Sequence, residues 1–202
     1  AWSQLAFSST AYDEGRRNMI LDALEEGTPD TLCRLDASLG EWFATAVRDL
    51  CEAASVETQE LAAIGSHGQT VWHIPPTHAL RGATLQLGDA ATLAERTGAP
   101  VVSDFRSRDV AAGGHGAPLV PWLDQLLFSA VDRRRAIQNL GGMANVTWLP
   151  PRGSPEPVIA FDTGPGVALI DGAVRRATDG VLPYDQDGAM ALRGQVDESL
   201  LT

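Results

Sequence analysis

The hydrophobic pattern of the chain changes its period near residue 60, and this change limits the fold classes open to it. Two segments before that point, 11–26 and 30–54, are predicted to be helical. In the second, apolar residues recur at three- and four-residue spacing: Leu32, Leu35, Leu39, Phe43, Val47 and Leu50. Later segments alternate between short apolar runs typical of strands and helical patterns, at 61–65, 84–88, 89–98, 100–104 and 117–130. The alternation predicts a mixed α/β fold.

The last third of the chain has a different pattern. Residues 136–150 are predicted to form two strands joined by a Gly-Gly turn, and a further strand at 157–162 follows a Pro-rich connection. A helix is predicted at 167–177. Because this meander differs from the helix–strand alternation before it, we expect two α/β units, 1–132 and 133–202.

Charge excludes some classes of function. The chain has 202 residues and a net charge of −11 at pH 7, and all 15 of its basic residues are arginines. An acidic surface disfavours general nucleic-acid binding, which needs basic residues to displace counterions. Without lysine, neither a Schiff base nor a P-loop lysine is available, so an anion has to be held by arginine, backbone N–H groups or metal.

Apolar runs and cysteines bear on the compartment. No apolar run approaches the ~20 residues that span a bilayer. Cys33 and Cys51 form no CxxC motif and are predicted to lie on one helix, too far apart to bridge. Such thiols are typical of a reducing, cytoplasmic compartment.

Three turns rich in glycine and small polar residues each follow a predicted strand: Ser66–Thr70, Gly141–Gly142 with Asn145, and Asp162–Gly166. Ligands of open α/β sheets bind beyond the carboxyl ends of strands, and glycines let backbone N–H groups approach a phosphate. A single Gly-Gly hairpin is more often structural. The three together suggest that the protein handles phosphate.

Residues 104–121 combine two aspartates, two arginines and four glycines. If the segment is extended, Arg106 and Arg108 point to one face and could clamp an anion. The alternative is a surface salt-bridge cluster with Asp104 and Asp109, which would contribute little to stability. The residues alone do not decide between the anion clamp and the salt-bridge cluster.

Among the four histidines, His67 is the best candidate for a substrate contact, because it lies between Ser and Gly in a strand-end turn. The histidine spacings do not match a metal site, and we expect none. Asp162 also allows two interpretations. It could form an Asx turn or helix N-cap, or it could be a general base held at a strand end.

Six stretches taken together resemble the anhydro-N-acetylmuramic acid kinase family, in sequence and in spacing: 64–73, 84–98, 101–121, 139–149, 161–171 and 184–201. The resemblance implies a two-lobed actin-like (ribonuclease H-like) sugar kinase fold. It also implies an incomplete chain, because the family's first phosphate loop and the segment that finishes the second lobe have no counterpart here. Val167 and His115 replace the family's usual Asn and Gln.

The resemblance further implies an activity. Members of the family use ATP and Mg²⁺ to open 1,6-anhydro-N-acetylmuramate hydrolytically and phosphorylate O6, yielding N-acetylmuramate 6-phosphate in cell-wall recycling. Asp162 corresponds to the family's general base, and a homodimer is expected. Gly141, Gly142 and Asn145, with Gly164 and Gly166, resemble phosphate-binding positions.

Sugar contacts are also expected. We assign Arg106 and Arg108 to the lactyl carboxylate, and His67, Gln69 and Asp109 to the sugar. Two alternatives remain: a non-catalytic fragment or degenerate paralogue that binds an anhydro-sugar or a partner subunit, and a kinase for another sugar.

Overall fold

The computed structural model describes residues 3–200, which divide into two compact units between Ala117 and Pro118. Each unit contains helices and strands, so the mixed α/β class is confirmed. The expected division into lobes near residue 132 stays a prediction.

The first unit contains these elements in chain order: α1 (Glu14–Glu26), α2 (Pro29–Ala54), a 3₁₀ turn (Thr58–Glu60), β1 (Ile64–Gly65), β2 (Gln69–Ile74), β3 (Ala83–Leu87), α3 (Ala90–Thr97), β4 (Val101–Val102) and α4 (Phe105–Ala111). β1 pairs with β4 in parallel, and β2 pairs with β3 antiparallel. β2 and α4 were not expected from the sequence.

Helix α2 begins and ends where its local chemistry requires. The side chain of Thr28 accepts a hydrogen bond from the Thr31 N–H, and Pro29 follows at the first helical position. Ser55, in the left-handed region, ends the helix. The apolar face of α2 joins a core made of Ile20, Ala23, Leu35, Leu39, Val71 and Leu87. The expected apolar stripe therefore carries the packing of this unit.

The second unit contains α5 (Val120–Phe128), β5 (Arg135–Leu140), β6 (Met143–Leu149), β7 (Ile159–Pro165) and α6 (Ala168–Ala177), followed by 3₁₀ turns at Gln186–Gly188, Ala191–Arg193 and Glu198–Leu200. The strands form one antiparallel sheet in the order β5-β6-β7. The predicted hairpin with its Gly141–Gly142 turn is confirmed. The third strand runs on to Pro165, so the turn expected at Asp162–Gly166 is mostly strand.

Helix α5 is joined to the sheet by a buried polar contact. The hydroxyl of Thr147 on β6 donates a hydrogen bond to Asp124 Oδ2 at 2.8 Å, and both residues are buried. Leu149, two residues farther along the same face of β6, is fully buried. Helix α5 therefore covers the sheet face to which residues 145, 147 and 149 belong.

Candidate functional site

The first group of candidate residues lies where β1 and β4 end. Because the two strands are parallel, their carboxyl ends lie at one edge, and the Ser66 N–H donates to the Val102 carbonyl at 2.8 Å. A cavity of about 200 Å³ there is lined by Ser66, His67, Gly68, Ser103 and Asp104, among others. The strand ends thus form a small polar recess.

His67 is held through both ring nitrogens. Its Nδ1 lies 2.9 Å from the Gly68 carbonyl oxygen, and its Nε2 lies 3.0 Å from Arg106 Nε. A carbonyl only accepts and a guanidinium only donates. These two partners assign His67 the neutral tautomer that carries its proton on Nδ1.

Helix α4 separates the two arginines that were expected to act as a pair. Residues 105–111 are helical, and positions two apart on a helix lie on different faces. The extended arrangement that would point Arg106 and Arg108 to one face is therefore not formed. Among residues 3–200, neither arginine forms an ion pair, so the alternative salt-bridge cluster with Asp104 and Asp109 is also not formed.

Asp109 holds the glycine-rich loop that follows α4. Its Oδ2 accepts a hydrogen bond from the Gly116 N–H at 2.7 Å. Gly113 and Gly116 have φ values of +95° and +72°, which only glycine adopts readily. One carboxylate oxygen is thus committed to shaping the loop that carries the exposed His115.

Gln69 begins strand β2, where it is half-buried. Its amide donates to the carbonyl of the neighbouring Thr70 at 3.2 Å. The preceding Gly68 has φ +73°, and a Cβ there would lie 2.8 Å from the Leu87 carbonyl oxygen. Glycine is therefore required where the recess meets β3.

Sequence reasoning missed two residues of this recess. Asp36 on α2 accepts a hydrogen bond from the Gly88 N–H at 2.6 Å across 52 positions of the chain. Gln86 on β3 has a buried side-chain oxygen that finds no hydrogen-bond partner among the described residues. No local signal could have indicated either, because both contacts depend on tertiary structure.

Asp89 begins α3 at the margin of the same recess. Its carboxylate accepts from the Ala91 N–H at 3.0 Å and the Thr92 N–H at 3.1 Å. Hydrogen bonding, first from the Thr92 hydroxyl and then from these two N–H groups, lowers the pKa of the Asp89 carboxyl below its ordinary value of 3.8. Asp89 is therefore the N-cap of α3.

The second group of candidates lies on the sheet of the second unit. Asn139, Asn145 and Asp162 are directly opposed on β5, β6 and β7. Opposed residues of an antiparallel sheet point to the same face, so these three polar side chains form a row. Asn145 and Thr147 are two positions apart on β6, so their side chains point to the same face. The row therefore lies on the face of the sheet that α5 covers.

A β-bulge follows Asp162. Asn145 pairs with Asp162, but Ala144 pairs with Gly164, so Thr163 is an extra residue of β7. Gly164 has φ +118°. The Gln138 amide spans the irregularity, donating to the Asn145 carbonyl at 2.9 Å and to Thr163 Oγ1 at 3.4 Å. Bulges of this kind re-aim side chains and recur next to active sites.

Asp162 is exposed and caps no helix, because α6 begins after Val167. Its interpretation as an N-cap is therefore wrong. Within the described chain, its carboxylate accepts no side-chain hydrogen bond and forms no ion pair. The backbone fixes where this carboxylate is, and its oxygens are left available.

The Gly141–Gly142 turn closes over the start of α6. The Gly142 carbonyl accepts from the Gly166 N–H at 2.9 Å, and the Gly141 carbonyl accepts from the Val167 N–H at 3.0 Å. A Cβ on Gly166 would overlap the Gly141 carbonyl oxygen, whereas one on Gly142 would meet nothing within 4 Å. The N–H groups of Gly141 and Gly142 donate no hydrogen bond within residues 3–200.

In residues 3–200, no group of three or more His, Cys, Asp or Glu side chains is arranged to hold a metal ion. No helix there is long and apolar enough to cross a membrane.

A known protein family and two of its members match almost the whole sequence. The family model described as anhydro-N-acetylmuramic acid kinase matches residues 2–202. A protein of that description from Gloeobacter violaceus is 49% identical over 204 positions, which cover 100% of this chain and 53% of the relative. One from Caldanaerobacter subterraneus subsp. tengcongensis is 45% identical, with 98% and 51% covered. The chain spans about half the length of these curated relatives.

Proposed function

The chain belongs to the anhydro-N-acetylmuramic acid kinase family, and on that premise we propose that the protein is an ATP-dependent sugar kinase. It opens 1,6-anhydro-N-acetylmuramate with water and phosphorylates O6, giving N-acetylmuramate 6-phosphate for cell-wall recycling. The observation that carries this proposal is the exposed Asp162 carboxylate, which a β-bulge holds in a row with Asn139 and Asn145.

Asp162 acts as the general base. It takes a proton from the water whose oxygen bonds to the anomeric carbon, while the bond between that carbon and O6 breaks. The released O6 then bonds to the γ-phosphorus of ATP, and ADP leaves. A carboxylate with no internal hydrogen bond or ion pair is free to accept that proton, which supports this role for Asp162.

Phosphate binding is assigned to the turn of the second unit. The N–H groups of Gly141 and Gly142 are unpartnered among the described residues, and a Cβ on Gly142 would meet nothing within 4 Å, which fits an anion at this turn. Asn145 lies on β6, the strand that follows the turn. Gly164 lies on β7 opposite Ala144, and Gly166 directly follows β7. The Gly166 N–H already donates a hydrogen bond to the Gly142 carbonyl. Gly166 therefore contributes through its lack of a side chain, which lets the phosphate approach the backbone.

ATP would supply the γ-phosphoryl group, and bound Mg²⁺ would neutralise charge on its phosphates. Mg²⁺ in kinases is usually bound by one or two carboxylates together with substrate phosphates, and it keeps several waters. Bound chiefly through ATP phosphates and water, Mg²⁺ would need no dedicated cage of side chains and would leave the Asp162 carboxylate free to act as the base.

Sugar recognition is assigned to the first unit. Arg106 contacts the lactyl carboxylate, and Gln69 and Asp109 contact the sugar. Arg108 lies on another face of α4, so it is not assigned to the same carboxylate. His67 lines the recess at the ends of β1 and β4 and is hydrogen-bonded to Arg106. Oδ2 of Asp109 accepts the hydrogen bond from the Gly116 N–H, and Oδ1 accepts none among the described residues and remains available. The proposal extends to a two-lobed actin-like fold divided near residue 132, a homodimer and a cytoplasmic location.

The second candidate is a non-catalytic protein that binds an anhydro-sugar or a partner subunit. Nucleotide affinity separates the two candidates, because a binding protein need show none.

The test is a mass-spectrometric assay of the 202-residue chain with ATP, Mg²⁺ and a panel of anhydro-sugars. A complete family enzyme runs beside it. The proposal expects one product, heavier than anhydro-N-acetylmuramate by phosphate plus water. Binding of the sugar without product would favour the second candidate, and phosphorylation of a different sugar would contradict the assigned substrate.

A further inference from the structure

We infer that His67 is a positioning residue that holds Arg106 so that its terminal nitrogens recognise the carboxylate of the sugar substrate. The inference rests on the proposed function and deepens it, since it gives His67 a role that acts through Arg106. The contact that carries it joins Arg106 Nε to His67 Nε2 at 3.0 Å, across 39 positions of the chain.

The contact has a defined direction. The Gly68 carbonyl oxygen lies 2.9 Å from Nδ1 and requires a proton on that nitrogen. Nε2 therefore carries a lone pair, and it faces the Arg106 guanidinium, which can only donate. The backbone of the strand-end turn thus sets the tautomer, and the tautomer makes His67 an acceptor for one N–H of the guanidinium.

The rest of the guanidinium stays available. Arg106 is half-buried on α4, and its two terminal nitrogens make no hydrogen bond or ion pair within the described chain. Two terminal nitrogens match the two oxygens of a carboxylate. Arginine held at Nε loses less side-chain entropy when it binds than a free one does.

Neighbouring groups leave the arginine in place. A Cβ on Gly116 would lie 3.6 Å from Arg106 Cβ, so the glycine-rich loop passes close to the stem of this side chain. Asp109, which could have paired with Arg106, instead accepts from the Gly116 N–H at 2.7 Å. The nearby carboxylate is therefore occupied by the loop.

The consequence concerns selectivity. A chain with a net charge of −11 repels an anionic sugar. A cation fixed at one position favours the sugar that bears a carboxylate over the same sugar without it. His67 thus determines specificity through Arg106 and needs no contact with the sugar.

The experiment compares 1,6-anhydro-N-acetylmuramate with 1,6-anhydro-N-acetylglucosamine, which lacks the lactyl carboxylate. Titration calorimetry measures binding of both to the 202-residue chain. His67→Leu removes the acceptor and should weaken binding of the acidic sugar by about tenfold. Binding of the neutral sugar should not change. His67→Gln restores an acceptor oxygen and should recover most of the loss.

The exposed His78, outside the recess, provides the matched control as His78→Leu. Equal weakening of both sugars by His67→Leu would overturn the inference, as would failure of His67→Gln to restore binding. The same histidine-to-leucine change at position 78 should leave both affinities unchanged.

A second readout does not depend on the sugar. Nitrogen-15 NMR of the His67 ring should show the proton on Nδ1, and sodium lactate, as a carboxylate probe, should shift the Arg106 Nε–H signal only when His67 is present. If neither sugar binds but this shift appears, the proposed function fails for the chain and the positioning role stands. A proton on Nε2, or no lactate shift, overturns the positioning role.

Discussion

The two units hold their candidate residues in different ways. In the first, His67, Arg106 and Asp109 are fixed by hydrogen bonds that involve their side chains. In the second, Asp162 forms no side-chain bond within the described residues, and only the register of β6 and β7 and the bulge at Thr163 locate it. A side chain that recognises substrate can use some of its atoms for internal hydrogen bonds, whereas a general base needs its carboxylate oxygens free.

The apolar residues of the two units also differ. The first unit buries a core that joins α1 and α2 to β2 and β3. In the second, Trp122, Phe161 and Leu169 are 71%, 55% and 69% exposed. Phe161, the neighbour of Asp162 on β7, is therefore packed less completely than the core residues of the first unit.

Asp162→Asn should have the largest effect. It keeps the shape of the side chain but removes the base, so turnover should fall by about 10²–10⁴-fold. ATP affinity should not change. Product formation is measured by mass spectrometry, with nucleotide binding measured in parallel. The control is Asp179→Asn, an exposed aspartate at φ +50°, a conformation that asparagine also adopts. Turnover close to that of the unaltered chain in Asp162→Asn would remove Asp162 from the mechanism.

Core truncations test whether the units are stabilised separately. Leu39 in the first unit and Leu149 in the second are both fully buried. Each change to alanine should cost about 2–5 kcal/mol of unfolding free energy in its own unit. Hydrogen exchange followed by mass spectrometry locates the loss. Faster exchange in β5–β7 on Leu39→Ala would contradict separate stabilisation.

A pair of glycine substitutions tests the turn that closes over α6. Gly166→Ala places a methyl group against the Gly141 carbonyl oxygen and should destabilise the second unit by about 1–3 kcal/mol. Gly142→Ala enters open space and should leave the fold intact. Urea unfolding measures both. Equal losses of stability would mean that the close approach of Gly166 to Gly141 is unimportant.

The smallest expected effect concerns Asp89. Its carboxyl has a folded-state pKa below 3.8, so the stability it contributes is complete above that pH and is lost as pH falls through the folded pKa. Asp89→Ala should cost about 0.5–2 kcal/mol at pH 7 through loss of the helix cap. The difference from the unaltered chain should shrink towards pH 2. Thr92→Val removes the largest cause of the lowered pKa, and an unchanged acid limb in that variant would contradict the assignment.

Local sequence patterns were enough to predict several parts of the structure. The hairpin of β5 and β6 follows from the two strand patterns around Gly141–Gly142, and α2 follows from its apolar stripe. Cys33 and Cys51 lie on α2 as expected, and both are free. These features depend on neighbours within a few residues.

Non-local features were not predictable. Helix α4 is a seven-residue element with charged residues that fit an extended segment equally well. The His67–Arg106 contact spans 39 positions and the Asp36–Gly88 contact spans 52. The extension of β7 through Pro165 depends on pairing with β6, which outweighs the turn preference of Gly and Pro. The family resemblance identified the candidate residues, but it did not indicate which of them hold one another.

The most direct test is to run the reaction in water labelled with oxygen-18 and to quench it before the anomeric oxygen of the product exchanges with solvent. If Asp162 activates a water that attacks the anomeric carbon, the sugar phosphate formed by the chain carries one oxygen-18, at the anomeric hydroxyl, and none in its phosphate. Label in the phosphate, or no sugar phosphate at all while a complete family enzyme forms it, would contradict that role for these residues.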